Sequence, residues 1–337
     1  MPHFHKVNGD NITFYALPYY IGLIGFLTTL PSLIKTLFLR RKVERSVIFR
    51  VPGILSFMYY SIGMKRKHQY AAEVVGDPSD TFSQNASSSF LRPLIRKAFI
   101  HMLKKQCKNA VSIAYVTEKT LQKRYPPNIN AFQTHYSSIQ LSESDYYQRS
   151  NYSIHSTINV LCIGNLSQPY KGCDFMLKVT SEMKKLGQPI ILNWIGGGQL
   201  LPDMKLLAAE LEVTEQVNFI GNLSKRKDII EKIDEADVFV LSSRQEGLPR
   251  VVIESMARSV ICIATRVGGV PELIDNKFIF ERDNIKQLIQ QFTKFSKLTE
   301  KERLNISSNN YKKALTFKDV ILNNRRKQMY SALLNTK

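Results

Sequence analysis

Two glutamates eight residues apart are the side chains in this sequence best placed to do chemistry. Glu246 and Glu254 lie in the stretch Ser-Ser-Arg-Gln-Glu-Gly-Leu-Pro-Arg-Val-Val-Ile-Glu over 242–254, which follows an apolar run and opens a helical pattern. Gly247 allows the backbone to approach a ligand closely, and Pro249 is favoured as the first residue of a helix. Because a helix N-terminus offers unpaired N–H groups and partial positive charge, the stretch predicts an anion site with Glu246 at its edge.

Each glutamate also has a plain structural interpretation. Arg250 and Arg258 flank Glu254 four residues away on either side, and the three could form an exposed ion-pair ladder. Glu246 could be a solvated loop carboxylate. Taken alone, the two glutamates favour these interpretations, so the surrounding elements and motifs must decide.

The second half of the chain alternates short apolar runs with helical patterns, which is typical of β-α units around a parallel sheet. The runs lack polar alternation, so we expect strands that are buried on both faces. The predicted strands cover 158–163, 190–195, 217–220, 237–241 and 260–264, and the predicted helices cover 174–186, 202–211, 226–236 and 249–259.

The first half is of the same type but less regular. Apolar runs over 46–51, 71–75 and 111–116 end in turn signals, and 92–110 is a helical pattern. A further strand over 12–17 gives this half about five strands. Residues 142–157 are polar, rich in Ser and Tyr, and without periodicity, so they are predicted to link two α/β domains.

One segment is long and apolar enough to require a membrane test. Residues 11–34 contain no charged side chain and could cross a hydrocarbon core of about 30 Å. They also contain Pro18 and Pro31 with several hydroxyl side chains. We therefore predict a helix that is buried on most faces or lies on the surface, and not a membrane span.

The net charge limits the partners this protein could bind, and the cysteines indicate its cellular compartment. The 337 residues carry a formal net charge of +19, and 1–150 hold 20 Lys and Arg against 8 Asp and Glu. No nucleic-acid-binding motif surrounds the basic clusters, which suit an anionic membrane surface or a solvated face. The basic clusters are Arg40 to Lys42, Lys65 to Lys67, and Lys104, Lys105 and Lys108.

Four widely spaced cysteines and the absence of a secretory pattern in the first 11 residues favour a reduced, cytoplasmic setting.

The motifs together resemble the retaining glycosyltransferases of family 4. The resemblance rests on the Glu-x7-Glu stretch and on further motifs in the family order. These are Ile163-Gly-Asn-Leu166, Tyr170-Lys-Gly172, Gly196-Gly-Gly198, Val217-Asn-Phe-Ile-Gly221, Ser255-Met-Ala-Arg258 and Val267-Gly-Gly-Val-Pro-Glu-Leu-Ile274. The family has the GT-B architecture, in which two Rossmann-like domains with parallel sheets face each other across a cleft.

The resemblance implies a division of the chain. Residues 1–152 would form the acceptor-side domain, which lacks the family's first β-α unit, and 153–316 would bind the nucleotide-sugar donor. A C-terminal helix over 317–337 could belong to either domain.

The resemblance also implies roles for individual residues. Glu246 would contact the donor sugar near the reacting carbon, Glu254 would bind the nucleotide ribose, and Lys171 would bind the diphosphate. Backbone N–H groups around Gly247 and Leu248 would assist, and no cofactor or metal is expected because no Asp-x-Asp motif occurs. The rest of the predicted donor site consists of Gly164, Asn165, Gly196, Gly197, Gly221 and Pro249.

The sequence departs from the family at Asn165, where relatives place an arginine that joins the lysine on the diphosphate. Losing this cation would weaken leaving-group stabilisation by about 1.5 to 3 kcal/mol unless another group replaces it. Arg244 or Arg266 is the candidate replacement.

Two residues are candidates on the acceptor side. Asp77 ends a predicted strand and could hold or deprotonate an acceptor hydroxyl, although Gly-Asp-Pro equally reads as a turn. His135 could line the cleft or be a loop histidine.

The sequence thus predicts a cytoplasmic glycosyltransferase that associates peripherally with the inner membrane. It would move a hexose-type sugar from a nucleoside-diphosphate sugar to a glycan or polyprenyl-linked glycan acceptor, without nucleic acid as a partner. The alternative is a truncated, catalytically silent relative that binds a nucleotide or glycan in an assembly complex. Glycoside hydrolysis by the two glutamates is a weaker option, because Glu254 lies at least one helical turn behind Glu246.

Overall fold

The computed structural model describes residues 12–40, 46–63, 68–81 and 92–335, and these form two parallel sheets. In the described residues the first sheet has the order β1-β2-β3-β4 and the second has the order β10-β9-β8-β5-β6-β7. The strands are β1 Ser46–Val51, β2 Gln69–Val74, β3 Ser112–Tyr115, β4 Phe132–His135, β5 Ile158–Ile163, β6 Ile190–Ile195, β7 Val217–Gly221, β8 Val238–Leu241, β9 Cys262–Thr265 and β10 Ile279–Phe280.

Helices connect the parallel strands and cover the sheets. They are α1 Gly22–Arg40, α2 Ile54–Met58, α3 Pro78–Thr81, α4 Arg92–Asn109, α5 Thr120–Arg124, α6 Cys173–Lys185, α7 Leu201–Glu210, α8 Arg226–Asp234, α9 Arg250–Ala257, α10 Ile285–Ser296, α11 Glu300–Leu315 and α12 Asp319–Asn335. The prediction of two α/β domains with parallel sheets is confirmed.

The second sheet is buried on both faces, as its apolar runs predict. Along β8, Val238 and Val240 pack into the apolar core on one face, whereas Phe239 and Leu241 pack into the core on the other. All four side chains are at most 2% exposed. This double burial explains why these strands show continuous apolar runs instead of alternation.

The first sheet differs from the prediction at both ends. The described residues contain four strands here instead of about five, and 12–17 lie outside any strand. The strand β4, which the sequence did not reveal, pairs in parallel with β3. Its sequence, Phe-Gln-Thr-His, contains one large apolar side chain and therefore gives little strand signal.

Helix α1 lies on the surface and is not buried on most faces. Tyr19 and Ile21 precede it and are 83% and 75% exposed, and Ile24 within it is 79% exposed. Leu33 and Leu37 are its buried apolar side chains. Within the described parts of the chain, no helix combines the length and hydrophobicity needed to cross a membrane.

The predicted linker is packed against the second sheet. Tyr152 is 1% exposed, and its hydroxyl donates to the Asp237 carbonyl oxygen at 2.8 Å and accepts from the Ile261 N–H at 2.9 Å. These bonds fix the polar segment to the ends of two buried strands.

Helix α12 returns to the first sheet. The Ser112 hydroxyl of β3 donates to the Met329 carbonyl oxygen at 2.9 Å, and Met329 and Leu333 are buried. Helix α12 therefore covers part of the first sheet, although it lies more than 200 residues later in the sequence than β3.

Candidate active site

The second sheet has one point where its strand order reverses, and Lys171 and Glu246 meet there. From β5 the chain adds β6 and β7 on one side, and then β8, β9 and β10 on the other. The loops that follow β5 and β8 therefore diverge and open a crevice, which is where open parallel sheets bind ligands. Lys171 follows β5 and Glu246 follows β8, and Nζ lies 2.7 Å from Oε1. Their side chains are 17% and 13% exposed.

Close packing fixes the position of Lys171. The Ser242 hydroxyl donates to the Lys171 carbonyl oxygen at 2.9 Å. Gly172 has a φ of +73°, and a methyl group there would collide with the Ser242 carbonyl oxygen. A methyl group on Gly164 would come within 3.0 Å of the Lys171 Cγ atom. The lysine stem therefore lies directly over Gly164. Glycine is required at 172, whereas a side chain at 164 would push the lysine stem aside.

The other predicted glycines line the same edge of the sheet. Gly196 follows β6 with a φ of +128°, and a methyl group there would collide with the Gly164 carbonyl oxygen. The Gly196 N–H donates to the Gly221 carbonyl oxygen at 2.8 Å, and the Gly197 N–H donates to Asn222 Oδ1 at 2.7 Å. This part of the crevice is consequently built from backbone.

The loop between Glu246 and α9 touches the first sheet. A methyl group on Gly247 would come within 2.6 Å of the Val75 carbonyl oxygen, which follows β2. The Gly269 N–H donates to the Gly247 carbonyl oxygen at 2.7 Å, and the Leu248 side chain packs on Gly269. Pro249 is the N-cap of α9. The loop is thus held between the two sheets, with the helix N-terminus behind it.

Glu254 does not contact the Lys171–Glu246 pair. It lines a small cavity with Asp145 and Arg226, and the described residues give it no hydrogen bond or ion pair. Burial raises the pKa of Glu254, and the positive charge of nearby Arg226 partly offsets this increase. Arg258 pairs with Asp234 at 2.5 Å, so the predicted ion-pair ladder does not form. The residues that line this cavity include neither Lys171 nor Glu246, so the structure does not bring Glu254 to the pair.

We expect Glu254→Gln to stabilise the protein at neutral pH. A carboxyl whose pKa is raised by folding holds its proton more tightly in the folded state, so ionisation above the raised pKa costs folding free energy. The variant should melt at a higher temperature than the parent at pH 7.5, and this gain should vanish as the pH falls below the ordinary glutamate pKa. Thermal melts across pH would measure it, with exposed Glu210→Gln as control. A lower melting temperature at pH 7.5 would contradict the assignment.

The sequence did not reveal the group that faces Glu254. Arg226 Nε lies 2.6 Å from Asp145 Oδ1, and Asp145 also accepts from the Ser142 N–H at 2.6 Å. Burial opposes ionisation of Asp145, but the hydrogen bonds from Arg226 and Ser142 outweigh it and lower its pKa. The capping pattern Ser-x-x-Asp is the one sequence signal for this arrangement. Ser243, after β8, also has a buried hydroxyl without a partner in the described residues.

Both arginines proposed to replace the missing family cation are paired with carboxylates. Asn165 Oδ1 accepts from the Ser167 N–H at 2.6 Å and forms a local turn. Arg244 binds Asp174 through two nitrogens at 2.9 and 2.8 Å, and it also pairs with Asp283. Arg266 pairs with a carboxylate on the far side of β9, Glu281, at 2.7 Å. The compensation would therefore require one of these arginines to leave its carboxylate, as Lys171 must leave Glu246 to bind a diphosphate, and it stays a prediction.

Asp77 is a structural carboxylate. It is 4% exposed, accepts from the Tyr125 hydroxyl at 2.5 Å and the Ser79 N–H at 2.8 Å, and pairs with Arg124. Burial opposes its ionisation, but these hydrogen bonds together lower its pKa. Of the two predictions for Asp77, the turn is the one the geometry favours.

His135 ends β4 and is not a loop histidine. It lines a narrow gap between the two domains, and its Nε2 lies 2.9 Å from an Arg325 nitrogen. Burial, followed by the charge of Arg325, lowers the pKa of His135. The imidazole is therefore neutral at physiological pH and accepts from the arginine.

Comparison with known proteins identifies the part of the chain that carries the crevice. Residues 148–313 match the family described as "Glycosyl transferases group 1". These residues, which we call the group 1 domain, are similar to that family. This domain contains Lys171, Glu246 and Glu254, together with β5 to β10.

Relatives extend the similarity beyond the group 1 domain. Protein CapJ of Staphylococcus aureus is 25% identical over 284 residues, which cover 84% of this chain and 71% of CapJ. The amylovoran biosynthesis glycosyltransferase AmsK of Erwinia amylovora is 26% identical over 130 residues, 37% of this chain and 31% of AmsK.

Solved structures confirm the predicted architecture. Sucrose-phosphate synthase from Thermosynechococcus elongatus superimposes with a TM-score of 0.74 at 15% identity, over 94% of this chain and 81% of that one. Anabaena HepE, in complex with UDP and glucose, gives 0.64 at 14% identity, over 94% of this chain and 84% of that one. The fold is GT-B-like, with the group 1 domain as its second half.

Glu272 of the group 1 domain accepts hydrogen bonds from backbone N–H groups of the first domain. Its carboxylate accepts from the N–H groups of Glu118 at 2.5 Å, Lys119 at 3.1 Å and Thr120 at 2.6 Å, and from the Thr120 hydroxyl. These groups precede and begin α5, whose N-terminus favours a negative charge. Because Glu272 lies three residues after Gly269, one short loop contacts both α5 and the loop of Glu246.

We expect Glu272→Ala to loosen the two domains. Each hydrogen bond to a charged group is worth about 1.5 to 3 kcal/mol, so losing several should allow the cleft to open. Small-angle scattering should show a larger radius of gyration for the variant than for the parent. Glu210→Ala, which removes an exposed carboxylate of α7, is the control. Identical scattering from all three proteins would show that Glu272 does not hold the domains together.

Proposed function

We propose that this protein is a retaining, metal-independent hexosyltransferase that takes its sugar from a nucleoside diphosphate. The observation that carries the proposal is the 2.7 Å contact between Lys171 and Glu246 at the crevice of the second sheet, in front of α9. Loss of a sugar from a diphosphate builds negative charge on the leaving phosphate. A fixed cation and N–H groups stabilise that charge without a metal. The UDP and glucose bound by HepE support this choice of donor.

Each residue of the proposed donor site would bind a different part of the nucleotide sugar. Lys171 binds the diphosphate, the N–H groups of Gly247 and Leu248 add to it, and Glu254 accepts from the nucleotide ribose. When the diphosphate takes the Lys171 ammonium, the Glu246 carboxylate is released to the sugar near its reacting carbon. The acceptor is a lipid-linked or growing surface polysaccharide, a class consistent with the name of AmsK.

A donor screen tests this proposal. Thermal melts with UDP-, GDP- and ADP-sugars should show one nucleotide that raises the melting temperature, since a ligand at 100 times its Kd adds about 2.7 kcal/mol of stability. The best donor is then incubated with glycan acceptors, and the anomeric configuration of the product is read by NMR. Failure of every nucleotide sugar to stabilise the protein, or inversion at the anomeric carbon, would reject the proposal.

One observation favours a second candidate function. Asn165 supplies no cation, and Arg244 and Arg266 are both paired with carboxylates. A protein with this site could bind a nucleotide or glycan within an assembly complex without turnover. Nucleotide binding by calorimetry, with no transfer to any lipid-linked acceptor, would select this alternative.

The proposed location is the cytoplasmic face of the inner membrane. Exposed apolar side chains of the first domain, including Phe14 and Ile24, accompany the exposed lysines 104, 105 and 108 of α4. Apolar and basic groups together bind anionic lipid surfaces. The other predicted basic residues, Arg41, Lys42 and 65–67, lie outside the described residues. Co-sedimentation with anionic but not neutral vesicles tests this location.

A further inference from the structure

The first domain contains a cavity of about 180 Å³ that is separate from the Lys171–Glu246 pair. It lies where β2 and β3 end, because Val75 and Val116 form part of its wall, and α12 closes it from the other side. Its polar and aromatic lining includes Arg50, Glu73, Tyr136, Ser138, Arg326 and Tyr330.

The carboxylate in the cavity is held by two tyrosines. Glu73 Oε1 accepts from the Tyr136 hydroxyl at 2.6 Å and from the Tyr330 hydroxyl at 3.3 Å. Burial raises the pKa of both tyrosines, so their hydroxyls keep their protons and act as donors. Only one oxygen of Glu73 is used in these bonds, which leaves the other to accept from a ligand hydroxyl.

The two arginines in the cavity lack an acidic partner. Arg50 is opposite Glu73 in the β1–β2 register, yet the described residues place no carboxylate within 4 Å of its nitrogens. Arg326 stacks over the Tyr136 ring at 4.9 Å and donates to the Asn323 side chain, again with no described carboxylate as a partner. With two cations and one carboxylate, the cavity carries net positive charge.

The cavity also adjoins the loop of the proposed donor site. Gly247, the residue after Glu246, packs against the Val75 carbonyl oxygen, and Val116 Cγ2 lies 3.7 Å from the position a Gly247 methyl group would take. Val75 and Val116 are walls of the cavity. A molecule in the cavity would therefore lie on the first-domain side of the same cleft as Glu246.

We propose that this cavity binds an anionic saccharide, namely a sugar residue that carries a carboxylate or a phosphate, as the acceptor. This inference rests on the proposed function and names the chemistry of its acceptor. The arginine forks match a carboxylate or phosphate group, since planar guanidinium groups bind both through paired hydrogen bonds. Glu73 accepts from a ring hydroxyl, and the tyrosine rings offer apolar faces to the sugar.

Binding measurements with saturating UDP test the proposal, because UDP occupies the nucleotide and diphosphate part of the donor site, and the variants below distinguish the cavity from its sugar part. The probes are glucuronate, glucose 1-phosphate, neutral glucose and inorganic phosphate, and the readout is the Kd from NMR titration. We expect one or both acidic sugars to bind at least about tenfold more tightly than glucose, since a charge-assisted pair is about twice as strong as a neutral hydrogen bond. Which acidic sugar binds more tightly distinguishes a carboxylate from a phosphate.

The variants locate the site. Arg326→Gln and Arg50→Gln should each weaken binding of the acidic sugar about tenfold, whereas Lys327→Gln, which removes an exposed charge from the same helix, should not. All three should keep the parent's melting temperature and UDP affinity.

The outcomes separate the two proposals. Equal Kd values for glucose and both acidic sugars, no binding of any sugar, or insensitivity to both arginine variants would overturn the acidic-sugar site. Inorganic phosphate binding as tightly as glucose 1-phosphate would overturn sugar recognition. Failure of UDP itself to bind would instead reject the proposed donor function.

Discussion

Glu246→Gln should abolish sugar transfer while strengthening nucleotide binding. The amide cannot provide the negative charge that Glu246 places beside the reacting carbon, and we expect turnover to fall by about 10³-fold, at the upper end of losses seen for single stabilising groups. The same substitution removes the negative charge that lies 2.7 Å from the Lys171 ammonium. An uncompensated, mostly buried cation then gains more from a diphosphate, so the Kd for UDP should fall.

Turnover with the best donor and calorimetry with UDP give the two readouts. Glu182→Gln, an exposed carboxylate on α6, is the matched control and should change neither. A Glu246→Gln protein with the parent's turnover would remove Glu246 from the reaction. Weaker UDP binding would show that the Lys171–Glu246 pair does not compete with the diphosphate.

Lys171→Met should reduce turnover and weaken UDP binding together. Methionine keeps an apolar stem of similar length over Gly164, so the loop should retain its position while losing the ammonium. We expect turnover to fall by about 10²-fold or more, because the leaving phosphate loses its fixed cation. The Kd for UDP should rise, which is the opposite of the effect of Glu246→Gln.

The opposite signs make the pair of variants informative. Lys178→Met, on the exposed side of α6, controls for the loss of one positive charge. UDP affinity that moves in the same direction for Lys171→Met and Glu246→Gln would contradict direct competition for the ammonium. An unchanged Kd for Lys171→Met would place the diphosphate elsewhere.

The sequence predicts the second sheet well and the first sheet poorly, for a physical reason. A strand such as 158–163 is buried on both faces, so it must be a continuous apolar run and its limits are visible. The run over 12–17 is just as apolar, yet it pairs with no described strand, because apolar composition does not select a partner. Conversely, β4 has a mixed composition and is a strand because β3 pairs with it.

The site, too, has residues that the sequence predicts and residues that it does not. Lys171 and Glu246 occur in motifs, and the reversal of strand order brings them together although 75 residues separate them. The Asp145–Arg226 pair and the contacts of Glu272 join segments 81 and about 150 residues apart without any motif. Such contacts depend on how the two domains and the linker pack, and the local hydrophobic pattern of the sequence does not determine that packing.

The return of α12 has a consequence for how the protein is made. Ribosomes deliver β1 to β4 long before the segment around Met329, whose backbone accepts the Ser112 hydroxyl 217 positions earlier. Until that segment emerges, one flank of the first sheet lacks Met329 and Leu333 and exposes apolar surface to solvent. The group 1 domain can collapse earlier, so the first region to be translated should be the last to reach its native state.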